Sequence, residues 1–240
     1  MIEPGSLLRS LTERTAARNF QSRVIHEIGA GVVSGRFAIG GTLPNDAALM
    51  DEFGVSRTVL REALKTLEAK GLLEARPKVG TKVAKKSRWN IYDPQVLAWH
   101  LTAPPDRDFL TGLGEVRRSL EPLGAAHAAH RRSSEQVRLM RYWVQQMETS
   151  LDQASAFSLA DFELHRLVAE ASRNPFIRGL NGVIELSHAF AYLKPVNHPD
   201  EADLRPALLL HRALVTAIEQ GDEQAAQQAM LDVIAYEQVL

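Results

Sequence analysis

The stretch "NDAALMDEFGVSRTVLREALKTLEAKGLLEARPKVGTKV", residues 45–83, constrains the fold more than any other. Apolar residues recur at helical spacing over 46–53 and again over 57–70, with Gly54-Val55 as a tight turn between them. Ser56 stands where the second helix needs an N-cap. After Gly71 the spacing changes, and "LLEARPKVGTKVA" reads as two short strands joined by a Pro-Lys-Val-Gly turn. Helix, glycine turn, helix and hairpin make a winged helix-turn-helix. Leu49, Phe53, Val55, Val59, Leu60, Ala63, Leu64 and Leu67 supply its small core. Ser56, Arg57, Thr58 and Arg61 are then left on the first turns of the second helix. Its N-terminus can face a phosphate. Arginines there can reach guanine O6 and N7 in the major groove. Lys78, Gly80 and Thr81 fall at the wing tip, where Gly80 lets the backbone approach a groove closely. A lone arginine is usually solvated surface, but in this pattern the expected partner is double-stranded DNA.

The charge distribution agrees. Residues 1–88 carry 15 Lys and Arg against 9 Asp and Glu, a net of +6. Residues 89–240 carry 13 against 20, a net of −7. A basic front and an acidic back suggest a polyanion-binding module joined to something else. The chain has no cysteine, which removes disulfides, thiol nucleophiles and Cys-type zinc sites. No apolar run approaches the roughly 20 residues needed to cross a bilayer. The first residues lack a basic-then-apolar signal pattern. The expectation is a cytoplasmic protein with no membrane partner.

The expected organisation is a flexible tail (1–17), the winged helix-turn-helix (18–85, opening with a helix over 20–34), a linker (86–105) and an all-α region (106–240). The linker holds one short amphipathic piece around 95–101, and Trp89 and Trp99 are expected to pack it onto one of the domains. Helices are expected over 109–130, 134–150, 155–172, 175–193, 204–220 and 222–238, forming an antiparallel bundle. The fold class is therefore mostly α, with a small β-hairpin wing.

Two anomalies mark the helical region. Asp161 and His165 lie on the apolar stripe of Phe157, Leu164, Val168 and Ala171, since residues four apart are offset by about 40° around a helix. Glu163, Arg166 and Glu170 take the wet face. Polar groups on a buried face need partners. Asp161 and His165 either pair with each other or hold something. Arg117 is the second anomaly, set among Leu110, Leu113, Leu120 and Gly124. It either forms an internal salt bridge, to Asp161 or Glu121, or receives a ligand carboxylate bidentately. Ser187 and His188, among Ile184, Leu186 and Phe190, either line a pocket or pack. His127 is ambiguous in the same way.

These residues carry a resemblance. "LP…EFGVSRTVLREALKTLEAKGLLEARPKVGTKVA" resembles the winged-helix domain of the GntR superfamily of bacterial repressors. That family usually has Ser-Glu-Arg after Leu-Pro, with the arginine on DNA; here Asn45-Asp46-Ala47 stands instead. "EVRRSLEP" (115–122), "DFELHRLVAEASRNP" (161–175) and "HRALVTAIEQGDEQAAQQAM" (211–230) resemble the FadR-type C-terminal domain, FCD. "RWNIYDPQVLAWHL" is similar more narrowly to the D-galactonate operon repressor group.

The resemblance implies a ligand-responsive homodimeric repressor, with no organic cofactor and no enzymatic activity. It implies a divalent metal on Asp161, His165 and a histidine matched by His211, which also lies on the apolar stripe of its own helix. A further histidine is expected at 233, where this chain has Val233. Zinc suits oxygen and imidazole ligands, as do nickel and manganese. Arg117 matches the arginine that faces the effector, so a small carboxylate, D-galactonate or another aldonate, is the implied ligand. Fatty acyl, lactate or glucuronate-type acids are alternatives within the family. A metal-dependent hydrolase with a nucleic-acid-binding appendage is a rival of another class, without a dedicated general base near its motifs. A general DNA-packing protein is a third, and predicts affinity independent of sequence.

Overall fold

The computed structural model describes residues 20–102, 106–193 and 201–237. The tail expected over 1–17 lies outside the described residues. The rest falls into two compact units, one on each side of residues 103–105. No helix among the described residues is long and apolar enough to cross a membrane.

The first unit opens with α1 (Phe20–Val33), whose Val24, Ile25, Ile28 and Val32 are buried. Next come α2 (Asp46–Phe53) and α3 (Arg57–Ala69). Asn45 caps α2 by accepting from Ala48 N at 2.9 Å. Gly54 ends it in the left-handed conformation, φ 64°, which a side chain would disfavour. Ser56 caps α3 through Val59 N. Strands β1 (Leu73–Arg76) and β2 (Gly80–Val83) form the antiparallel hairpin, with Leu73 opposite Val83 and Arg76 opposite Gly80. Residues 40–43 add an extended edge that the periodicity does not reveal: Val83 N donates to Gly41 O and Leu43 N to Thr81 O.

Leu49, Phe53, Leu60, Ala63, Leu64 and Leu67 are buried as expected, but Val55 and Val59 are only half-buried. They sit at the turn and first turn of α3, where the polar face begins. The short helix α4 (Pro94–Trp99) belongs to this core. Trp99 donates to His26 Nδ1 at 3.2 Å and Trp89 to Ala84 O at 3.1 Å. Trp99 packs over Gly29 of α1, where a Cβ would lie 2.4 Å from the indole.

The second unit is an all-helical bundle: α5 (Arg107–Arg131), α6 (Ser134–Thr149), α7 (Ala154–Ala171), α8 (Pro175–Arg178), α9 (Asn181–Leu193), α10 (Glu201–Gln220) and α11 (Glu223–Glu237). The helix expected over 175–193 is two pieces. Asn174 and Pro175 start a single turn, and the chain turns again at Gly179 and Leu180 before α9.

Helix α7 contacts α5, α6, α8 and α9. It is therefore buried nearly all round, and this corrects one expectation. Glu163 is not on a wet face but buried, neutralised by Arg166 at 2.8 Å. Arginines finish two helix ends: Arg131 donates to Ser172 O at 2.9 Å, and Arg132 to Glu219 O at 2.8 Å. Each satisfies a carbonyl that a helix C-terminus leaves without a partner.

Candidate functional site

In the first unit, Ser56, Arg57, Thr58 and Arg61 stand exposed along the first turns of α3. Among the described residues Arg57, Arg61 and Lys78 form no ion pair. Lys78 and Gly80 are exposed and Thr81 half-buried. The tip between the strands is sharply turned, with Lys78 at φ 63° and Gly80 at φ 107°. Cationic side chains and an accessible helix N-terminus on one small unit suit a phosphate backbone.

In the second unit, five helices bring polar side chains to one buried point. Helix α5 carries Arg117 and Glu121, one turn apart. Helix α7 carries Asp161 and His165, also one turn apart. Helix α9 adds Ser187 and His188, α10 adds His211, and the last turn of α11 adds Glu237. Arg117 Nε donates to Glu121 Oε1. Arg117 Nη1 donates to Ser187 Oγ at 2.9 Å and to Glu237 Oε2 at 2.6 Å. The internal salt bridge thus includes Glu121, not Asp161, and a second carboxylate that the spacing did not suggest.

His165 Nδ1 donates to Glu121 Oε2, and His211 Nδ1 to Ala207 O at 2.8 Å. Both Nε2 atoms then turn inward, 3.3 Å apart. Asp161 Oδ1 lies 2.9 Å from His211 Nε2 and 3.3 Å from His165 Nε2. His188 Nδ1 lies 3.5 Å from Asp161 Oδ2. His127 is half-buried elsewhere on α5.

Three carboxylates (Glu121, Asp161, Glu237) face one guanidinium here, so with neutral imidazoles the group carries −2. Burial alone would push each carboxyl up. For Glu121 the charges of Arg117 and His165 outweigh burial and lower it to about 2. Glu237 is held well below its ordinary value against burial, first by Arg117. Asp161 is lowered against burial by His211 and His188. Burial disfavours a charged His165 too, yet the charge and hydrogen bond of Glu121, with Glu237, raise it to about 10. His188 is lowered, chiefly by burial. A buried negative excess of this kind demands protons or a cation.

The donor set fits a cation. Asp161, His165, His211 and Glu237 each offer one ligand atom, all within 4.8 Å of one another. Among the described residues, Asp161 Oδ1 is buried with no hydrogen-bond partner of acceptable geometry. The Glu121–His165 hydrogen bond is the carboxylate–imidazole support that metal-bound histidines ordinarily have. Glu121 and Glu237 were not singled out as site residues by sequence reasoning. The signal for Glu121 was its place one turn after Arg117. For Glu237 it was its place one turn after Val233.

Comparison with known proteins bears on both units. Residues 20–83 match the model "Bacterial regulatory proteins, gntR family", and residues 113–236 match the FCD domain. The galactonate operon transcriptional repressor of Escherichia coli (strain K12) is 33% identical over 217 residues, 90% of this chain and 94% of that protein. The HTH-type transcriptional repressor NanR of Salmonella newport is 30% identical over 185 residues, 74% of this chain and 68% of its own length. A solved Streptococcus agalactiae GntR structure aligns with TM-score 0.50 at 25% identity, covering 92% of this chain and all of that one. A solved structure of Lar, from Listeria monocytogenes, aligns with TM-score 0.65 at 16% identity over 94% of this chain and 97% of its own, a likeness of fold.

Proposed function

Because the chain belongs to the GntR family of bacterial regulatory proteins and carries its FCD domain, we propose that it is a cytoplasmic, homodimeric repressor released from operator DNA by a hydroxylated carboxylate. The observation that carries the choice of ligand is a pair of unpartnered buried atoms. Among the described residues, Arg117 Nη2 and His188 Nε2 have no hydrogen-bond partner. The first is a charged donor suited to a carboxylate oxygen. The second, on a neutral ring whose Nδ1 faces Asp161, is an acceptor suited to a hydroxyl. A hydroxy acid satisfies both. Aldonates have this chemistry, and the name of the galactonate repressor relative makes D-galactonate the first to try.

Arg117, Ser187 and His188 would orient the acid. Asp161, His165 and His211 would hold a divalent metal, zinc first, with nickel and manganese as alternatives. When bound, the ion supplies a Lewis-acidic centre for the acid's oxygens.

In the DNA-binding half, which we assign to 18–85, Ser56, Arg57, Thr58 and Arg61 would enter the major groove, and Lys78, Gly80 and Thr81 would meet the flanking backbone. Two copies in a symmetric dimer read two half-sites of a pseudo-palindrome. The helical half, 106–240, joined through 86–105, binds the acid and carries the dimer contact. Regulation is then linkage: the acid binds the DNA-free arrangement more tightly, and DNA weakens acid binding by the same factor.

The test is fluorescence anisotropy of the protein on DNA from its own promoter, with a panel of sugar acids, each with and without chelator. Release by one acid, lost on chelation, is the expected result. Release that survives chelation would remove the metal from the reading. Specific binding untouched by every acid would sink the effector assignment.

A further inference from the structure

The cluster holds one more group than the metal reading above uses, and its geometry is that of a ligand. Glu237 divides its carboxylate. Oε2 accepts from Arg117 Nη1 at 2.6 Å. Oε1 points the other way, 3.4 Å from His165 Nε2 and 3.9 Å from His211 Nε2, and is buried with no hydrogen bond among the described residues. Asp161 Oδ1, equally without a hydrogen bond among the described residues, approaches the same two nitrogens from α7.

The protons show what these atoms are. His211 Nδ1 donates to Ala207 O and His165 Nδ1 to Glu121. In the neutral rings both Nε2 atoms are therefore lone pairs. Two lone pairs and two carboxylate oxygens converge with no donor among them. Four acceptors repel unless a positive charge sits between them, and a proton on His165 supplies only one of the two charges needed where a divalent cation supplies both. One divalent cation also cancels the −2 carried by Glu121, Asp161 and Glu237 against Arg117.

We propose that Glu237 is the fourth protein ligand of this cation site. This rests on the metal-assisted effector site proposed above. Residue 233 precedes Glu237 by one helical turn on the same face of α11, so a longer side chain could reach the same point from there; this chain has Val233. Glu237 does so from the end of the helix. Its second oxygen ties the ligand to Arg117, so the effector's anchor and the cation share one carboxylate.

The test uses the whole chain stripped with chelator. Zinc is titrated in by calorimetry, bound metal is counted by mass spectrometry, and cobalt(II) reports the ligand set through its visible spectrum. Wild type should take one ion per chain. Glu237→Gln, which keeps shape and loses charge, should weaken binding roughly tenfold or more and alter the cobalt spectrum. Glu237→Asp, which keeps the charge, should lose less, and Val233→His added to Glu237→Ala should recover part of the loss. Circular dichroism of the metal-free variants checks the fold, and the aspartate and histidine variants keep the test alive if the glutamine one unfolds. Unchanged affinity and spectrum in Glu237→Gln would overturn the ligand while leaving a three-residue metal site. Weaker binding with an unchanged spectrum would make Glu237 an outer partner, and also overturns it. A wild type that takes no metal would overturn the metal reading itself, whereas DNA release by an acid is read separately.

Discussion

His165 Nε2 and His211 Nε2 face each other across 3.3 Å from helices whose contacting residues are 46 positions apart in the chain. Each ring has already committed its Nδ1 proton, to Glu121 and to Ala207 O. Without a cation, a second proton sits on His165, which the adjoining carboxylates raise to about 10 against burial. With a cation, that proton leaves.

Metal should therefore stabilise the fold. Zinc at about 100 times its dissociation constant should add ~2.7 kcal/mol by mass action. Thermal unfolding with zinc and with chelator measures this, and His211→Ala should abolish the difference. Equal melting temperatures in wild type with and without zinc would count against binding at the cluster.

Arg117→Ala should do two things. It leaves Glu121 and Glu237 without the guanidinium that neutralises them, a loss of ~3–5 kcal/mol for a broken buried pair. It also removes the acid's anchor. Arg117→Lys keeps the charge but not the fork, so it should bind DNA while ignoring the acid. An Arg117→Lys repressor with normal release would make Arg117 purely structural.

Acid should destabilise the bundle through Glu121. Its folded pKa is about 2, below the ordinary 4.5. The stability it contributes is present above pH 4.5 and lost as pH falls from there towards 2. Glu121→Gln should flatten stability in that window, measured by urea unfolding at a series of pH values. An identical slope in the variant would mean that Asp161 and Glu237 carry the acid dependence alone.

Arg57→Ala or Arg61→Ala should cost ~1–3 kcal/mol of operator binding each, with an unchanged melting temperature. Wild-type affinity should fall steeply with salt as counterions are released. Sequence-specific binding retained by both variants would move the recognition surface off α3.

Gly29→Ala should destabilise the first unit by ~1–3 kcal/mol, because its Cβ would meet the Trp99 indole at 2.4 Å. Adding Trp99→Leu should recover part of this. Non-additive losses in the double-mutant cycle are the expected signature.

Local periodicity determined much of this protein from sequence alone. Hydrophobic spacing marked α1 to α3, the hairpin and most of the bundle, because helical and strand periods are written within ten or fifteen residues. It also placed Arg117, Asp161 and His165 on apolar stripes, and burial there follows. It misjudged Glu163, because a helix packed against four others keeps only a narrow solvated strip, at Arg166 and Glu170. What met those buried groups was decided only by tertiary structure. Glu121 reaches His165 across 44 residues, and Glu237 reaches Arg117 across 120. No local pattern encodes such pairs. They arise because packing α7, α10 and α11 against α5 leaves buried charges together, where low dielectric makes an unpaired carboxylate too costly to leave alone.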